Sequence, residues 1–382
     1  MKIAQIAPLI ESVPPRLYGG TERIVSYLTE ELVRQGHDVT LFASGDSQTS
    51  ARLHACCAEA LRLNPSVRDP IPYYMTMLDS VHRMSDQFDI LHFHIDQFHF
   101  PLFNRGPNLT LTTLHGRQDL SDLQYLYRSF PSMPVVSISN SQRTPIPEAN
   151  FAGTVLHGLP SNLLKPRANL RGREYLAFLG RISPEKRVDR AIRIAQAVGL
   201  PLKIAAKVDR ADQEYFKTEI EPLLQKPGIE FIGEIDEIAK EQFLGDAAAL
   251  LFPIDWPEPF GLVMIEAMAC GTPVIAFRQG SVPEVIDDGI TGAIVNSEEE
   301  AIAAMPMVLG LDRSAIRRRF EERFSVRRMA LDYTDIYQHL IAKKTAGLST
   351  VNGSQQCVSS VFDAPRRAAI SKVAASAVGS NC

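Results

Sequence analysis

Residues 252–276 read FPIDWPEPFGLVMIEAMACGTPVIA, and this stretch predicts a buried strand, a loop, a short helix and a second buried strand. The apolar run 248–252 suits a strand buried on both faces. The three prolines that follow lack the backbone N–H that a helix or a strand needs, so they predict a loop. Segment 261–270 has the length of a helix, which Gly271 and Pro273 end. The pattern is typical of an α/β protein.

Two glutamates in this stretch are candidates for ligand binding. Glu258 lies in the loop and Glu266 on the helix, so both carboxylates are expected near the helix N-terminus, where unpaired N–H groups attract anions. Carboxylates accept hydrogen bonds from sugar or ribose hydroxyls, while the N–H groups of Gly261, Leu262 and Val263 could take a phosphate oxygen. One segment could hold a nucleotide sugar. Alternatively, Glu258 caps the helix and Glu266 makes a surface ion pair.

Segments 258–261 and 266–274 resemble the paired-glutamate motif of retaining glycosyltransferases of family 4, which have the two-domain GT-B architecture. The resemblance implies that Glu266 holds the ribose hydroxyls of a nucleotide and that Glu258 faces the transferred sugar. It also places Phe260 among the residues that bind the donor.

The bulk properties are those of an ordinary globular chain. A length of 382 residues suggests two domains, with 45% hydrophobic and 22% charged residues. The net charge of -4 provides no positive field, so nucleic acid is not expected as a partner. Arginines at 317–319 and 327–328 are interpreted as the solvated face of an amphipathic helical region, with peripheral contact at the inner face of a membrane as the alternative.

The five cysteines lack the spacing of metal ligands, which suits a reducing cytoplasm. The chain starts as a strand, and no stretch of about 18 apolar residues occurs. A cytoplasmic protein is therefore expected.

The order of elements predicts two doubly wound Rossmann-like domains facing a cleft, followed by a helix and a tail. The first domain, residues 1–160, has predicted strands 2–7, 38–43, 89–94, 109–114 and 134–138 and a helix 21–35. The second, residues 161–325, alternates strands 175–179, 202–206, 229–232, 248–252 and 273–277 with helices 185–198, 211–225, 237–245 and 261–270.

The end of the chain is predicted to lie outside both domains. The family resemblance implies that a helix over 326–344 crosses back to the first domain. Residues 345–382 are small and polar without an apolar period, which indicates a disordered tail.

Arg181 and Lys186 open the second domain and are candidates for neutralising a diphosphate. Ser183 before Pro184 predicts a helix start, which places Lys186 in the first turn, where a cation opposes the helix dipole unless an anion binds nearby. The arginine fork and the compact ammonium suit a leaving phosphate. The resemblance implies the same pair, whereas surface salt bridges are the alternative.

Gly19 and Gly20, in the segment from Tyr18 to Thr21, precede the first helix. Glycines allow close backbone approach to a ligand, and the helix N-terminus favours negative charge. The segment is neither a dinucleotide fingerprint nor a P-loop, so a tight turn is the alternative. The resemblance implies that this loop closes over the diphosphate.

Histidines provide a further signal. His115 follows a strand at the expected ligand edge, and the resemblance places it against the transferred sugar. His92 and His94 share a strand face, with Asp96 and His99 beyond, which allows either a metal site or, as we expect, a buried polar pair. No metal site is assigned.

Two positions depart from the family pattern. His157-Gly158 replaces the usual Asn-Gly, and residues 205–209 replace a glycine-rich turn. Backbone groups around Ile232, Gly233 and Glu234, at a strand end, are therefore the candidates for binding the base.

Together these features predict a retaining glycosyltransferase that moves a hexosyl unit from a nucleoside-diphosphate sugar to a hydroxyl acceptor, with no cofactor or obligatory metal. The alternatives are an epimerase or phosphorylase of the same architecture, or a non-catalytic nucleotide-sugar-binding protein. The nucleoside, the sugar, the acceptor and the oligomeric state stay open.

Overall fold

The computed structural model describes residues 1–16, 19–106, 108–167 and 175–358, with side chains through residue 346. Residues 1–338 form one compact unit, and a second unit begins at His339. Tyr18, residues 168–173 of the predicted linker and residues 359–382 of the predicted tail lie outside the described residues.

The first sheet contains seven described strands, all parallel, in the order β3-β2-β1-β4-β5-β6-β7. The strands are β1 (Lys2–Ile6), β2 (Asp38–Ser44), β3 (Arg52–Cys57), β4 (Ile90–Phe93), β5 (Thr110–Thr113), β6 (Pro134–Ser137) and β7 (Asn150–Thr154). The helices are α1 (Gly20–Arg34), α2 (Ile71–Met84), α3 (Phe100–Phe103) and α4 (Ser121–Ser129).

The second sheet has six described parallel strands in the order β10-β9-β8-β11-β12-β13. The strands are β8 (Leu176–Arg181), β9 (Leu202–Lys207), β10 (Ile229–Gly233), β11 (Ala249–Phe252), β12 (Val274–Phe277) and β13 (Gly292–Val295). The helices are α5 (Val188–Val198), α6 (Gln213–Tyr215), α7 (Glu221–Leu224), α8 (Glu237–Gly245), α9 (Leu262–Ala269), α10 (Val282–Val285), α11 (Glu298–Leu309), α12 (Arg313–Arg323) and α13 (Val326–Val358).

The predicted fold class, α/β with two doubly wound Rossmann-like domains, is confirmed. In each sheet the strand order reverses beside the first strand, between β1 and β4 and between β8 and β11. Parallel strands covered on both faces are mostly apolar, and β4, which is apolar except for His92, and β11 are buried along their whole length. The carboxyl ends at such reversals are where α/β sheets bind ligands.

Three strands that the pattern did not predict lie at sheet edges. β3 and β7 end the first sheet, and β13 ends the second. β3 and β7 contain no fully buried residue, so they lack the uninterrupted apolar run by which the inner strands were found.

Two predicted helices differ in the structure. Pro184–Lys186 forms a single 3₁₀ turn, Arg187 takes a left-handed conformation at φ 52°, and α5 begins at Val188. Ser183 makes no capping hydrogen bond. The expectation that Lys186 opposes the dipole of a first helical turn is therefore wrong. The predicted helix 211–225 contains a π-helical segment, Phe216–Ile220, just before Pro222, whose missing N–H disturbs the regular ladder.

The chain crosses between the two sheets twice, and the two crossings lie side by side. The Leu159 N–H donates to the Phe324 carbonyl, and the Val326 N–H donates to the Leu159 carbonyl, both at 2.9 Å. A Cβ on Gly158 would lie 2.4 Å from the Ser325 carbonyl oxygen, so only glycine fits this close approach.

After the second crossing, α13 returns to the first sheet through Tyr333 and Tyr337. Tyr333 bonds to Thr113 at 2.8 Å and Tyr337 bonds to His92 at 2.6 Å, which joins the helix to β5 and β4. The helix continues to Val358, beyond the predicted end at Lys344. Lack of an apolar period predicts no packing face but does not by itself end a helix, and no proline lies between Val326 and Pro365. Within the described residues, no helix is both long and apolar enough to cross a bilayer.

Candidate active site

A cavity of about 430 Å³ opens between the two sheets, at the carboxyl ends of their strands. Its volume is in the range of small-molecule sites. The first domain contributes the N-terminus of α1 and His115, which follows β5; the second contributes the end of β8 and the segment from Phe252 to Glu266. Most of the residues predicted for the site therefore meet in one place.

The two predicted cations lie on the second-domain wall, each beside carboxylates. Lys186 Nζ forms an ion pair with Glu258 Oε2, and the two side chains are 16% and 12% exposed. Arg181 lies 2.7 Å from Glu185 and 3.6 Å from Asp209. Both cations therefore have carboxylate partners in the absence of a ligand.

The loop around Glu258 is held by neighbouring backbone. Gly280 has φ +54°, and a Cβ there would lie 2.3 Å from the Glu258 carbonyl oxygen, so no other residue fits without moving the loop. The Ser281 N–H donates to that carbonyl at 2.9 Å. The indole N–H of Trp256 donates to Glu258 Oε2 at 3.0 Å. The main chain and the carboxylate of Glu258 are thus both fixed.

The helix α9 places Glu266 against the cavity. Gly261, with φ +78°, allows the sharp turn from the proline loop into the helix. Glu266 is 5% exposed and lies 2.6 Å from Lys240 of α8. Phe260, Gly261, Leu262 and Val263 all line the cavity, so the first-turn N–H groups of α9 are beside it.

The first-domain wall begins at α1. Gly19 and Gly20 line the cavity, and α1 starts at Gly20. Arg23, one turn later, forms an ion pair with Glu237 at the start of α8, so a charge pair spans the cleft.

His115 is joined to buried polar groups behind it. Its Nε2 lies 2.9 Å from His94 Nδ1, and His94 Nε2 lies 2.7 Å from the Gln5 amide oxygen. With that oxygen accepting from His94 Nε2–H, His94 Nδ1 accepts from His115 Nε2–H. Burial lowers the pKa of His115 to about 3, so the ring is neutral at physiological pH.

The polar network continues to α13. His92 is fully buried and bonds to Tyr337 and to Thr113, at 2.6 Å and 2.8 Å. Burial also holds the pKa of His92 and His94 well below the usual value. The part of the first-domain wall around His115 is therefore polar but uncharged, whereas Arg23 at the start of α1 carries a charge.

The histidines considered for a metal site are engaged in these and similar contacts. His99 bonds to Thr112 at 3.0 Å and stacks on Phe93. In the part of the chain that the structure describes, no three His, Cys, Asp or Glu side chains are grouped as they would be to hold a metal ion.

His157, which departs from the family pattern, lines the cavity. Its ring stacks on His115 with centroids 5.4 Å apart and meets Phe260 edge-on at 4.9 Å. The side chain is 3% exposed, and burial holds its pKa well below the usual value.

Of the residues predicted to bind the base, only one lines the cavity. Ile232 and Gly233 do not line the cavity, whereas Glu234 and Ile235 do. β10 ends at Gly233, so only Glu234 of the three predicted residues reaches the cleft. Lys207 lines the cavity as well and lies 3.0 Å from Asp209.

Several cavity residues were not found from the sequence. Lys240 lies on α8 without a recognisable motif, and Glu11, Glu22 and Arg62 come from the first domain. Arg62 lies 2.8 Å from Glu11. Burial raises the pKa of both Glu11 and Glu22. Isolated charges of this kind carry no local signal that separates them from a solvated face.

The charges of the cavity wall balance. Its described lining contains six basic side chains (Arg23, Arg62, Arg181, Lys186, Lys207 and Lys240) and six acidic ones (Glu11, Glu22, Glu234, Glu237, Glu258 and Glu266). The site has no excess of positive charge, so an anionic ligand would meet carboxylates as well as cations.

The loop predicted to be structural, 280–284, joins the domains. Glu284 accepts from the N–H groups of Asn140 and Ser141, each at 2.7 Å. Ser139 Oγ donates to the Pro259 carbonyl at 2.7 Å, one residue beyond Glu258. The candidate site is thus fixed against the first domain on this side.

Comparisons with known proteins agree with this architecture. A family model described as glycosyl transferases group 1 matches residues 163–323, and one described as Glycosyltransferase Family 4 matches residues 18–142. The phosphatidyl-myo-inositol mannosyltransferase of Propionibacterium freudenreichii is 24% identical over 343 residues, 81% of this chain and 86% of that protein. The first two curated relatives are matched over about a third of their length.

Two solved structures show the same fold. The sucrose-phosphate synthase of Thermosynechococcus elongatus has a TM-score of 0.74 at 19% identity, over 90% of this chain and 99% of that one. Anabaena HepE in complex with UDP and glucose has a TM-score of 0.68 at 18% identity, over 89% and 100%.

Proposed function

We propose that this chain, which belongs to the family 4 type of glycosyltransferases with the GT-B fold, moves a hexosyl unit from a nucleoside-diphosphate sugar to a hydroxyl acceptor with the anomeric configuration retained. One observation carries the proposal. Arg181, Lys186, Glu258 and Glu266 line a single cavity with His115 of the opposite domain. Two cations for a diphosphate and two carboxylates for hydroxyls are the groups that such a donor needs.

Donor binding in this proposal is an exchange of partners. The diphosphate takes Lys186 from Glu258 and Arg181 from Glu185 and Asp209. Glu258 then accepts from hydroxyls of the sugar, and Glu266 accepts from the ribose. Glu258 thus exchanges its cation for hydroxyl donors, so its carboxylate keeps hydrogen-bond partners.

The transfer step is a displacement on one face of the sugar. The bond from the anomeric carbon to the leaving phosphate oxygen breaks, and a bond to the acceptor oxygen forms. The acceptor's proton passes to the leaving phosphate, so the products are the glycoside and the nucleoside diphosphate. Arg181, Lys186 and the first N–H groups of α9 stabilise the charge that grows on that phosphate, without an obligatory metal ion.

His115 orients the sugar in this scheme. A ring that is neutral at pH 7 and donates through Nε2 to His94 keeps Nδ1 as an acceptor for a sugar hydroxyl. It adds no positive charge next to the anomeric carbon, where positive charge develops in the transition state.

The nucleoside is proposed from the cavity and from the neighbours. HepE was solved with UDP and glucose, which makes UDP-glucose the first donor to test. The mannosyl donor GDP-mannose is the second, because a phosphatidyl-myo-inositol mannosyltransferase is among the relatives. In both cases Glu234 and Ile235, beyond β10, are the residues closest to the expected base.

A single set of assays separates the proposal from its rivals. UDP-glucose, GDP-mannose and ADP-glucose are each incubated with and without hydroxyl acceptors such as hexose phosphates or inositol lipids, and the products are followed by proton NMR. We expect acceptor-dependent release of the nucleoside diphosphate, an α-linked product from an α-linked donor, and turnover that survives EDTA. An isomerised donor without acceptor would indicate an epimerase, dependence on inorganic phosphate a phosphorylase, and nucleotide binding without turnover a binding protein.

A further inference from the structure

Trp256 is the only tryptophan of the chain, and it lies in the proline loop two residues before Glu258. Its indole N–H donates to Glu258 Oε2 at 3.0 Å, the same oxygen that pairs with Lys186. The Lys186 ammonium also lies over the indole ring, 4.9 Å from its centroid. One aromatic side chain therefore contacts both members of the ion pair.

When a donor binds, one of these contacts is expected to break and the other to remain. In the proposed function the diphosphate takes Lys186, and Glu258 loses its cation. The indole N–H does not compete for phosphate in this arrangement, because it is already directed at the carboxylate. It is the remaining contact that can hold Glu258 in one orientation, and a hydrogen bond to a charged group is strong enough to do so.

We propose that Trp256 is a positioning residue for the transfer reaction: it fixes the Glu258 carboxylate against the sugar and guides the Lys186 ammonium between that carboxylate and the diphosphate. The inference rests on the proposed function and deepens it. Phenylalanine would keep the ring for Lys186 but lose the donor for Glu258.

The first domain also reaches the indole. Arg117, two residues after His115, lies over the ring at 5.7 Å from its centroid and forms a two-bond ion pair with Asp119. The ring position therefore depends on groups from both domains, so the carboxylate is best held when the two domains are in contact.

The kinetic test uses Trp256→Phe. We expect kcat to fall about tenfold and discrimination between UDP-glucose and its C4 epimer UDP-galactose to weaken, while the Kd for UDP changes less than about twofold. In a Glu258→Gln background the same substitution should cost little more, because the group that Trp256 orients is altered. Tyr175→Phe is the control, since it removes another buried aromatic donor, 2.7 Å from the Phe243 carbonyl, outside the cavity.

A spectroscopic test does not depend on turnover. With one tryptophan, ¹⁵N-labelled protein has one indole N–H resonance, which Trp256→Phe removes. We expect a downfield position typical of a carboxylate acceptor, an upfield shift in Glu258→Gln, and a position that stays downfield when UDP is added. The same spectra show whether each variant is folded.

The outcomes separate the two proposals. Absence of transfer by the wild-type protein with every donor would end the proposed function while the resonance still reports the Trp256–Glu258 contact. The role of Trp256 would be overturned if folded Trp256→Phe kept the wild-type kcat and donor selectivity. It would also be overturned if the indole resonance did not shift in Glu258→Gln. Equal losses in Trp256→Phe with and without Glu258→Gln would do the same.

Discussion

The two walls of the cleft are polar in different ways. On the second-domain wall, Lys186, Arg181, Glu258 and Glu266 are charged and paired with opposite charges. On the first-domain side, His115 and the buried histidines behind it form a neutral wall, although Glu11, Glu22, Arg23 and Arg62 of that domain also line the cavity. The charged wall can exchange partners with an anionic ligand, whereas the neutral wall can offer only fixed hydrogen bonds. The difference suggests that the charged wall binds the anionic part of a ligand, whereas the neutral wall selects among ligands by the positions of their hydrogen-bonding groups.

The largest expected effect tests the charged wall. Lys186→Ala should lower kcat about 100-fold, and Arg181→Ala similarly, because each removes a cation that stabilises the leaving phosphate. Steady-state turnover of the best donor measures the effect. Arg193→Ala is the matched control, since Arg193 pairs with Asp189 and Glu298 away from the cavity and should leave kcat unchanged. Full turnover by both folded alanine variants would remove the distinction between the walls.

A smaller effect divides the charged wall into a nucleotide part and a sugar part. Glu266→Gln should raise the Kd for the nucleoside diphosphate about tenfold, because the ribose loses a charged acceptor. Glu258→Gln should leave that Kd nearly unchanged and lower kcat and donor selectivity instead. Calorimetric titration with UDP and GDP, beside donor kinetics, checks both. Equal loss of nucleotide affinity in the two variants would contradict this division.

The smallest effect tests the neutral wall through pH. Burial holds the folded-state pKa of His157 well below 6.5, so below pH 6.5 the unfolded chain binds the extra proton and stability falls. Between pH 7.5 and 5.5 this one residue should cost roughly 1 kcal/mol. The buried Glu11 and Glu22, with raised pKa values, act in the opposite sense in acid, so the comparison must be made within one background.

The experiment follows from that comparison. Denaturant unfolding of the wild type and of His157→Asn is measured at both pH values, and the variant should lose roughly 1 kcal/mol less. An identical pH dependence of the two proteins would mean that His157 binds its proton as readily in the folded protein as in the unfolded chain, so the neutral wall would become charged in mild acid.

The sequence was most informative where chemistry is local. The charged wall was predicted from two short segments, because the prolines, Gly261 and Gly271 limit the backbone while Glu258 and Glu266 lie eight positions apart. Even there, the left-handed Arg187 and the resulting place of Lys186 were missed. A single non-glycine residue with positive φ has no dependable signature.

The neutral wall could not be predicted in the same way. Gln5 and Tyr337 are hydrogen-bonded and 332 positions apart, and neither lies in a motif. His92 and His94 were recognised as a pair on one strand face, but their partners on β1, β5 and α13 exist only once the sheet is formed and the helix has returned. Long-range polar pairing of this kind is encoded in the topology rather than in any window of sequence.

The hydrogen bonds between Leu159 and the segment 324–326 have a mechanical consequence. A single connection would let one domain rotate freely about the other. Two hydrogen-bonded connections resist twisting, so the domains are expected to move mainly by a hinge-like bend at this point. The cleft should therefore open and close about one hinge axis. Each closure would bring Arg117 back over the Trp256 ring.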